Sequence, residues 1–214
     1  MVQVDSLEAR FRLLWVKLGA QSDSEEIFHE IVKRYTEAKR FYHNLNHINS
    51  CLQLLDQYSN CADNPSLVET AIWFHDIIYD THRNDNEEKS AEYAAERLSA
   101  AGVNEESITK ICDLITATKH SQVLNSKDTA LLLDIDLSIL GKPEKEFNRY
   151  EHQIREEYNW VPPDRYREGR TEILQRFLSR KQIYQTKCLR ERFEEQARKN
   201  LKESIRKLGL LQVS

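Results

Sequence analysis

Apolar residues recur every three or four positions along most of this chain, which is the spacing of an amphipathic helix. The first stripe follows Asp5 or Ser6, either of which can cap a helix, and the second follows Ser22–Ser24. Their apolar members are Leu7, Phe11, Leu14, Trp15 and Leu18, then Ile27, Phe28, Ile31, Val32 and Tyr35. The pattern predicts two scaffold helices at the start of the chain.

The segment from Arg40 to Ser59 changes from a loop into a helix. Asn44 or Asn46 can cap that helix, which puts His47 in its first turn. His43 is then expected in the loop that leads to the helix.

The next helix contains an unusual pair of polar residues. Pro65 can open it, and we expect it to end near Asp80. Within it, His75 and Asp76 interrupt the apolar run AIWFHDII. Burying a charged carboxylate in such a run is costly unless it is paired or bound to a metal. The alternative is an ordinary amphipathic helix that turns both side chains toward water.

The remaining segments also indicate helices. We expect them over about 86–101, where Gly102 follows, over 105–119, and over 127–140. The 127–140 segment is the most apolar part of the chain, and a buried strand is the competing interpretation. We prefer a helix because no second strand is predicted to pair with it. With five glycines and four prolines in 214 residues, the chain is predicted to be an all-α, single-domain bundle.

Composition excludes several classes of function. The net charge is −4, so no overall basic field suggests a nucleic-acid partner. The four cysteines lack CxxC spacing, which argues against a disulfide framework or a zinc ribbon. No apolar run approaches the roughly 20 residues that span a bilayer, and the first residues lack a signal-peptide layout. We therefore expect a cytoplasmic protein that does not enter a membrane.

His47, His75, Asp76 and one of Asp134 and Asp136 lie on or beside apolar helical faces, where polar groups need a partner. Two imidazoles and two carboxylates suit a divalent Mn, Fe, Co, Ni or Zn ion. Neighbouring helical residues point about 100° apart, so the adjacent pair can share a site only at the edge of its face. A bound metal would activate water and stabilise a transferring phosphoryl group.

Three segments carry a family resemblance: RFYHNLNHI, FHDIIYDTHRNDNEEKSA and LDIDLSILG. The chain resembles the HD-domain superfamily of metal-dependent phosphohydrolases and, more narrowly, its branch of predicted metal-dependent HD phosphohydrolases. The tail segments EGRTEILQRFLSRKQIYQT and EEQARKNL are similar to that branch as well. The resemblance implies an HD-type helical bundle over residues 1–214. Its metal-binding core would span about 40–141, and helices over about 143–208 would pack on it.

The resemblance implies a metal site made by His47, His75, Asp76 and Asp136, with Asp134 as a substitute for Asp136. Two positions along a helix differ by about 200°, so the two later aspartates cannot easily face one metal. One divalent transition metal is expected. A second metal is expected only if His120 and a water complete its site.

Further candidates surround this set. Asp76 itself, His120, Asp80 and Glu87 are candidates for catalysis by proton transfer or by orienting a ligand. The alternative for most of the loop carboxylates, Glu88 included, is a solvated surface. The candidates for substrate binding are His43, Arg40 and Arg170, the arginines as bidentate phosphate clamps.

The sequence therefore predicts a metal-dependent phosphohydrolase that acts on a small phosphorylated metabolite, expected to be a nucleotide, through metal-activated water. One alternative is a catalytically degenerate HD module that senses a metal or a nucleotide. Another is a di-iron oxygenase of the HD type, although the chain offers only His82 and His120 between Asp76 and Asp136 for a second iron. Neither nucleic acid nor membrane is an expected partner, and an oligomer is compatible with the sequence.

Overall fold

The computed structural model describes residues 4–119 and 126–210, and within them it confirms the all-α prediction. These residues contain ten α-helices and two short 3-10 helices, with no strand in either described range. The α-helices are α1 (Val4–Lys17), α2 (Glu25–Tyr35), α3 (Leu45–Tyr58), α4 (Pro65–Phe74), α5 (Asn86–Ala100), α6 (Glu105–Ala117), α7 (Lys127–Asp136), α8 (Glu144–Glu157), α9 (Pro163–Leu178) and α10 (Lys187–Leu210). The 3-10 helices are Ser59–Cys61 and Leu137–Gly141.

The described residues fall into two compact units, one up to Leu133 and one from Asp134 onward. The boundary lies within α7, so this helix contributes to both units. The expected single domain, with a core that ends near residue 141, stays a prediction.

Helix α4 is the centre of the first unit. It contacts α1, α3, α5 and α6, and its residues from Val68 onward are buried, apart from Glu69. The Trp73 ring lies edge-on to two aromatic rings, with centroid distances of 5.4 Å to Phe11 and 6.2 Å to Phe28. A helix that is apolar around most of its circumference is stable only when neighbours surround it, as they do here.

The prediction that this helix runs to about Asp80 is wrong, because α4 ends at Phe74. The backbone beyond it bonds to side chains instead of continuing the helical ladder. The Asp76 carbonyl accepts a hydrogen bond from Arg40, and the Ile78 N–H donates to the Ser90 hydroxyl. His75 still has helical backbone angles and donates its N–H to the Ala71 carbonyl, whereas the Asp76 and Ile78 backbone groups bond to side chains, so the helix does not continue past His75.

Several predicted helix ends are confirmed by their capping groups. The Asn44 side chain accepts a hydrogen bond from the Asn46 N–H, so Asn44 is the cap of α3 and His47 lies in its first turn. Asn104 caps α6 in the same way. After α5, Gly102 adopts φ +79°, a conformation that favours glycine at a helix end.

In the second unit, α10 packs against the 3-10 helix Leu137–Gly141 and against α9, and α8 contacts the same 3-10 helix. At Gly141 the backbones approach so closely that a Cβ atom would lie 2.5–2.9 Å from Phe193 atoms. The helical interpretation of 127–140 is confirmed: α7 continues directly into the 3-10 helix. Among the residues described, no helix has both the length and the apolar character needed to cross a bilayer.

Candidate metal centre

Three side-chain atoms of the first unit converge beyond the end of α4. The Nε2 atom of His75 lies 3.1 Å from Nε2 of His47 and 3.0 Å from Oδ2 of Asp76. The distance between His47 Nε2 and the same Asp76 oxygen is 3.8 Å. The structure thus brings together three of the predicted ligands within van der Waals distance of one another.

The protonation of His75 is set by its second ring nitrogen. Nδ1 lies 2.9 Å from the Ile72 carbonyl oxygen, which can only accept a hydrogen bond, so Nδ1 must be the donor. In a neutral imidazole the proton on Nδ1 leaves a lone pair on Nε2. A backbone carbonyl in this role is the usual support of a metal-binding histidine.

This arrangement places acceptor atoms against one another. The His75 Nε2 lone pair faces an Asp76 carboxylate, which when ionised has no proton to donate. A cation resolves that repulsion, either as a second proton on the imidazole or as a metal ion shared by the ligand atoms. The chemistry of the donor set, two imidazole nitrogens and a carboxylate oxygen, fits a borderline divalent metal.

Both histidines are held in buried positions. His47 is on the first turn of α3 and 5% exposed, and His75 is the residue that follows α4 and 2% exposed. The Tyr42 ring centroid lies 4.9 Å from that of His47, and the Cys51 sulfur is 3.8 Å from both His47 ring nitrogens. The His47 ring is therefore packed between Tyr42 and Cys51, with Nε2 directed at His75.

The surrounding histidines, when they carry a proton, favour the ionised form of the Asp76 carboxyl group. Burial opposes its charge, but the neighbouring His75, His43 and His47 outweigh burial and hold the pKa of Asp76 well below its usual range. The site therefore offers a negative oxygen beside two nitrogen ligands, as a divalent cation requires.

His43 lies beside this set, in the loop predicted for it. Its ring centroid is 6.0 Å from that of His47 and 4.3 Å from that of Tyr79, and the His43 and Tyr79 planes are tilted by 30°. The half-buried His43 ring therefore borders the candidate ligands.

The catalytic candidates among the loop carboxylates separate in the structure. Glu87, in the first turn of α5, is half-buried, and burial together with the negative charge of Asp76 raises its pKa. Asp80 instead accepts hydrogen bonds from the His82 N–H and ring within an exposed turn. Glu88 accepts from Lys119 at 2.5 Å. Only Glu87 combines burial with an electrostatic interaction with a predicted ligand.

The two aspartates of α7 also separate. The Asp134 carboxylate accepts hydrogen bonds from the Gln185 and Thr186 N–H groups and from the Thr186 hydroxyl, at 2.6–2.8 Å. These donors occupy both of its oxygens. Asp136, the last residue of α7, is half-buried. Burial raises the pKa of Tyr150, and the negative charge of Asp136 adds to that shift. The Asp134 carboxylate is thus engaged at the start of α10, which leaves Asp136 as the preferred ligand candidate.

The two arginines that are predicted to clamp phosphate instead form hydrogen bonds with groups of the protein. Arg40 donates to backbone carbonyls that include those of Asp76 and Ile77. Arg170, on α9, forms a buried ion pair with Glu151, whose other oxygen accepts from Ser204. Their substrate-binding role stays a prediction that these contacts do not favour. His120, the remaining catalytic candidate, lies outside the described residues.

Sequence reasoning missed the side chains that hold the backbone after α4. Tyr35 belongs to an ordinary apolar stripe, and Ser90 belongs to a polar segment. Nevertheless, the Tyr35 hydroxyl bonds to the backbone of Trp73 and Asp76, and the Ser90 hydroxyl bonds to both backbone groups of Ile78. No local signal could have identified these contacts, because they join distant parts of the chain.

Comparisons with family models, with curated proteins and with solved structures gave no match. The resemblance to HD phosphohydrolases therefore stays a prediction from the sequence segments, and the functional argument depends on the site itself.

Proposed function

We propose that this protein is a metal-dependent phosphohydrolase of the HD type, acting on a small phosphorylated metabolite such as a nucleotide. The observation that carries the proposal is the convergence of His47, His75 and Asp76, whose nitrogen and carboxylate oxygen atoms lie 3.0–3.8 Å from one another. The His75 hydrogen bond to the Ile72 carbonyl supports it, because a neutral ring with its proton on Nδ1 presents Nε2 as the ligand atom.

Asp136 is proposed as the fourth ligand. In support, the resemblance to HD phosphohydrolases implies an aspartate ligand from this segment, and Asp136 is half-buried at the end of α7. The engagement of Asp134 by Gln185 and Thr186 supports the choice between the two α7 aspartates. Two nitrogen and two oxygen ligands leave coordination positions open for water and substrate in a six-coordinate ion.

When bound, a divalent metal supplies Lewis-acid chemistry that activates water and stabilises charge on a phosphoryl group. Glu87 is proposed as the base that takes the proton that water loses. It is half-buried, and the negative charge of Asp76 acts on it. A phosphorus–oxygen bond to water forms as the bond to the leaving oxygen breaks, and that oxygen takes up a proton. The His43 ring beside His47 is proposed to contact the substrate.

A phosphate-release screen tests the proposal. Metal-stripped protein is reloaded with Mn, Fe, Co, Ni or Zn and incubated with nucleotides and sugar phosphates, alongside the Asp76→Ala variant. We expect release by the wild type and none by the variant, because the variant lacks an anionic ligand. Equal release by both proteins would refute the assigned site.

The screen also distinguishes the alternatives. Metal binding without release from any substrate would favour the sensor module over the hydrolase. Two irons per chain together with oxygen consumption would favour the di-iron oxygenase.

A further inference from the structure

The Arg40 side chain is buried against the main chain that carries the candidate ligands. Its guanidinium donates to the Asp76 carbonyl at 2.6 Å, the Ile77 carbonyl at 3.0 Å and the His43 carbonyl at 3.3 Å. Its Nε donates to Glu37 at 3.1 Å, and only 2% of the side chain is exposed. One cation therefore connects the loop of His43 with the segment that follows α4.

Tyr35 completes this arrangement from the end of α2. Its hydroxyl donates to the Trp73 carbonyl at 3.1 Å and accepts from the Asp76 N–H at 3.2 Å. The Arg40 guanidinium carbon lies 5.1 Å from the Tyr35 ring centroid, within the range of a cation–π contact. Tyr35 and Arg40 thus bond to both backbone polar groups of Asp76, one to its N–H and the other to its carbonyl.

This double attachment matters because Asp76 is outside a helix. One backbone hydrogen bond spans the segment, from the Ile77 N–H to the Phe74 carbonyl at 3.1 Å, but the N–H and the carbonyl of Asp76 itself bond to Tyr35 and Arg40. The Asp76 carboxylate lies 3.0 Å from His75 Nε2, a position that small rotations of the backbone would change. Ligand geometry within about 0.5 Å is what a preorganised metal site requires.

We propose that Arg40 and Tyr35 are positioning residues of the metal site, which fix the Asp76 backbone so that its carboxylate and the His75 imidazole share one cation. The inference rests on the proposed function, and it assigns Arg40 a role different from phosphate clamping. A clamp needs an adjacent pair of N–H groups directed at the substrate, whereas the donors of Arg40 are directed at main-chain carbonyls.

The test measures metal affinity apart from turnover. Cobalt(II) is titrated into metal-stripped wild type, Arg40→Lys and Tyr35→Phe, with its visible absorption bands as the readout. Urea unfolding of the metal-free proteins is measured in parallel. Arg40→Lys keeps the charge but loses the fork of donors. We expect it to weaken cobalt binding about 10- to 100-fold and to shift the absorption bands, as loss of a ligand-orienting group does. Tyr35→Phe should weaken binding less, by several-fold.

Arg10→Lys is the matched control. Arg10 also joins separate elements of the first unit, through Glu69 and Asp56, but it touches no candidate ligand in these contacts. We expect this variant to lose stability while it binds cobalt as the wild type does. The control thereby separates a general loss of stability from a loss of positioning.

Wild-type cobalt affinity and spectrum in Arg40→Lys would overturn the inference, and so would an equal loss in Arg10→Lys. If Arg40→Lys does not fold, Tyr35→Phe decides: unchanged affinity refutes the proposal, and weakened binding with a shifted spectrum supports it. A wild type that binds no cobalt would overturn the proposed metal site itself. A wild type that binds cobalt but releases no phosphate would overturn only the hydrolase.

Discussion

Asp76 in the first unit and Asp134 in the second are both buried or nearly buried, but their carboxylates have opposite surroundings. The Asp134 carboxylate is met by three donors, from Gln185 and Thr186, at the N-terminus of α10. The Asp76 carboxylate is met by imidazole nitrogens, and the nearest of these carries a lone pair when the ring is neutral.

The two carboxylates differ in the source of the hydrogen-bond donors or positive charge that balance their negative charge. The chain itself supplies three hydrogen-bond donors to the Asp134 carboxylate, next to the N-terminal end of a helix dipole. The Asp76 carboxylate instead lies against histidine nitrogens, and a proton or a metal ion added to them would balance its charge. We therefore interpret a buried carboxylate that accepts several protein hydrogen bonds as structural. A carboxylate that lies beside unprotonated nitrogens is a candidate metal ligand.

The largest expected effect is on metal affinity. Asp76→Asn should weaken cobalt binding at least about 100-fold because it removes the anionic ligand, since outer-sphere changes alone cost 10- to 100-fold. Asp134→Asn should change affinity by no more than a few-fold. Titration of both metal-stripped variants, followed by absorption, provides the measurement. Comparable losses in the two variants would remove the distinction between the aspartates.

The second prediction concerns the stability of the second unit, which contains Asp134. Gly141→Ala should lower the free energy of unfolding by about 3 kcal/mol, because the new Cβ would overlap Phe193 backbone atoms that cannot easily move. Urea unfolding at constant pH measures it. A variant as stable as the wild type would show that α10 can shift away from the 3-10 helix without cost.

The third effect concerns pH. Burial outweighs the donors and raises the pKa of Asp134 to about 6, whereas an unfolded chain has a carboxyl pKa near 3.9. The folded state holds this proton more tightly, so its stabilisation is complete below about pH 4 and is lost as the pH rises through about 6.

Relative to Asp134→Asn, the metal-free wild type should therefore lose unfolding free energy on the order of 2 kcal/mol between about pH 4 and pH 7. Urea unfolding of both proteins across this range, with a chelator present, measures the difference. A difference that stays constant with pH would mean that the donors, rather than burial, decide the charge of Asp134.

The smallest effect is a gain in stability. Gly169 lies within α9, and a Cβ there would have no atom within 4 Å. Gly169→Ala should raise the unfolding free energy by about 0.5–1 kcal/mol through helix propensity. It also serves as the control for Gly141→Ala, because the chemical change is the same and only the surroundings differ. If both substitutions lowered the unfolding free energy, the second unit would be generally intolerant of added side-chain atoms.

Local sequence determined most of the helices and several of their ends. Asn44, Asn104 and Gly102 are located where capping chemistry predicts them, because a cap depends on neighbours within three or four residues. The all-α class followed from apolar spacing. The polar pair His75 and Asp76 was also recognisable, because a charge within an apolar run requires a partner.

Tertiary structure decided where α4 ends and which side chains surround the candidate metal. The predicted end near Asp80 was wrong, since Arg40 and Tyr35 bind the Asp76 backbone from 36 and 41 positions away. The choice between the α7 aspartates likewise turned on Thr186, 52 positions from Asp134. Apolar spacing and helix caps depend on residues that are close in sequence. The partner of a buried polar group can be distant in sequence, so only the folded structure identifies it.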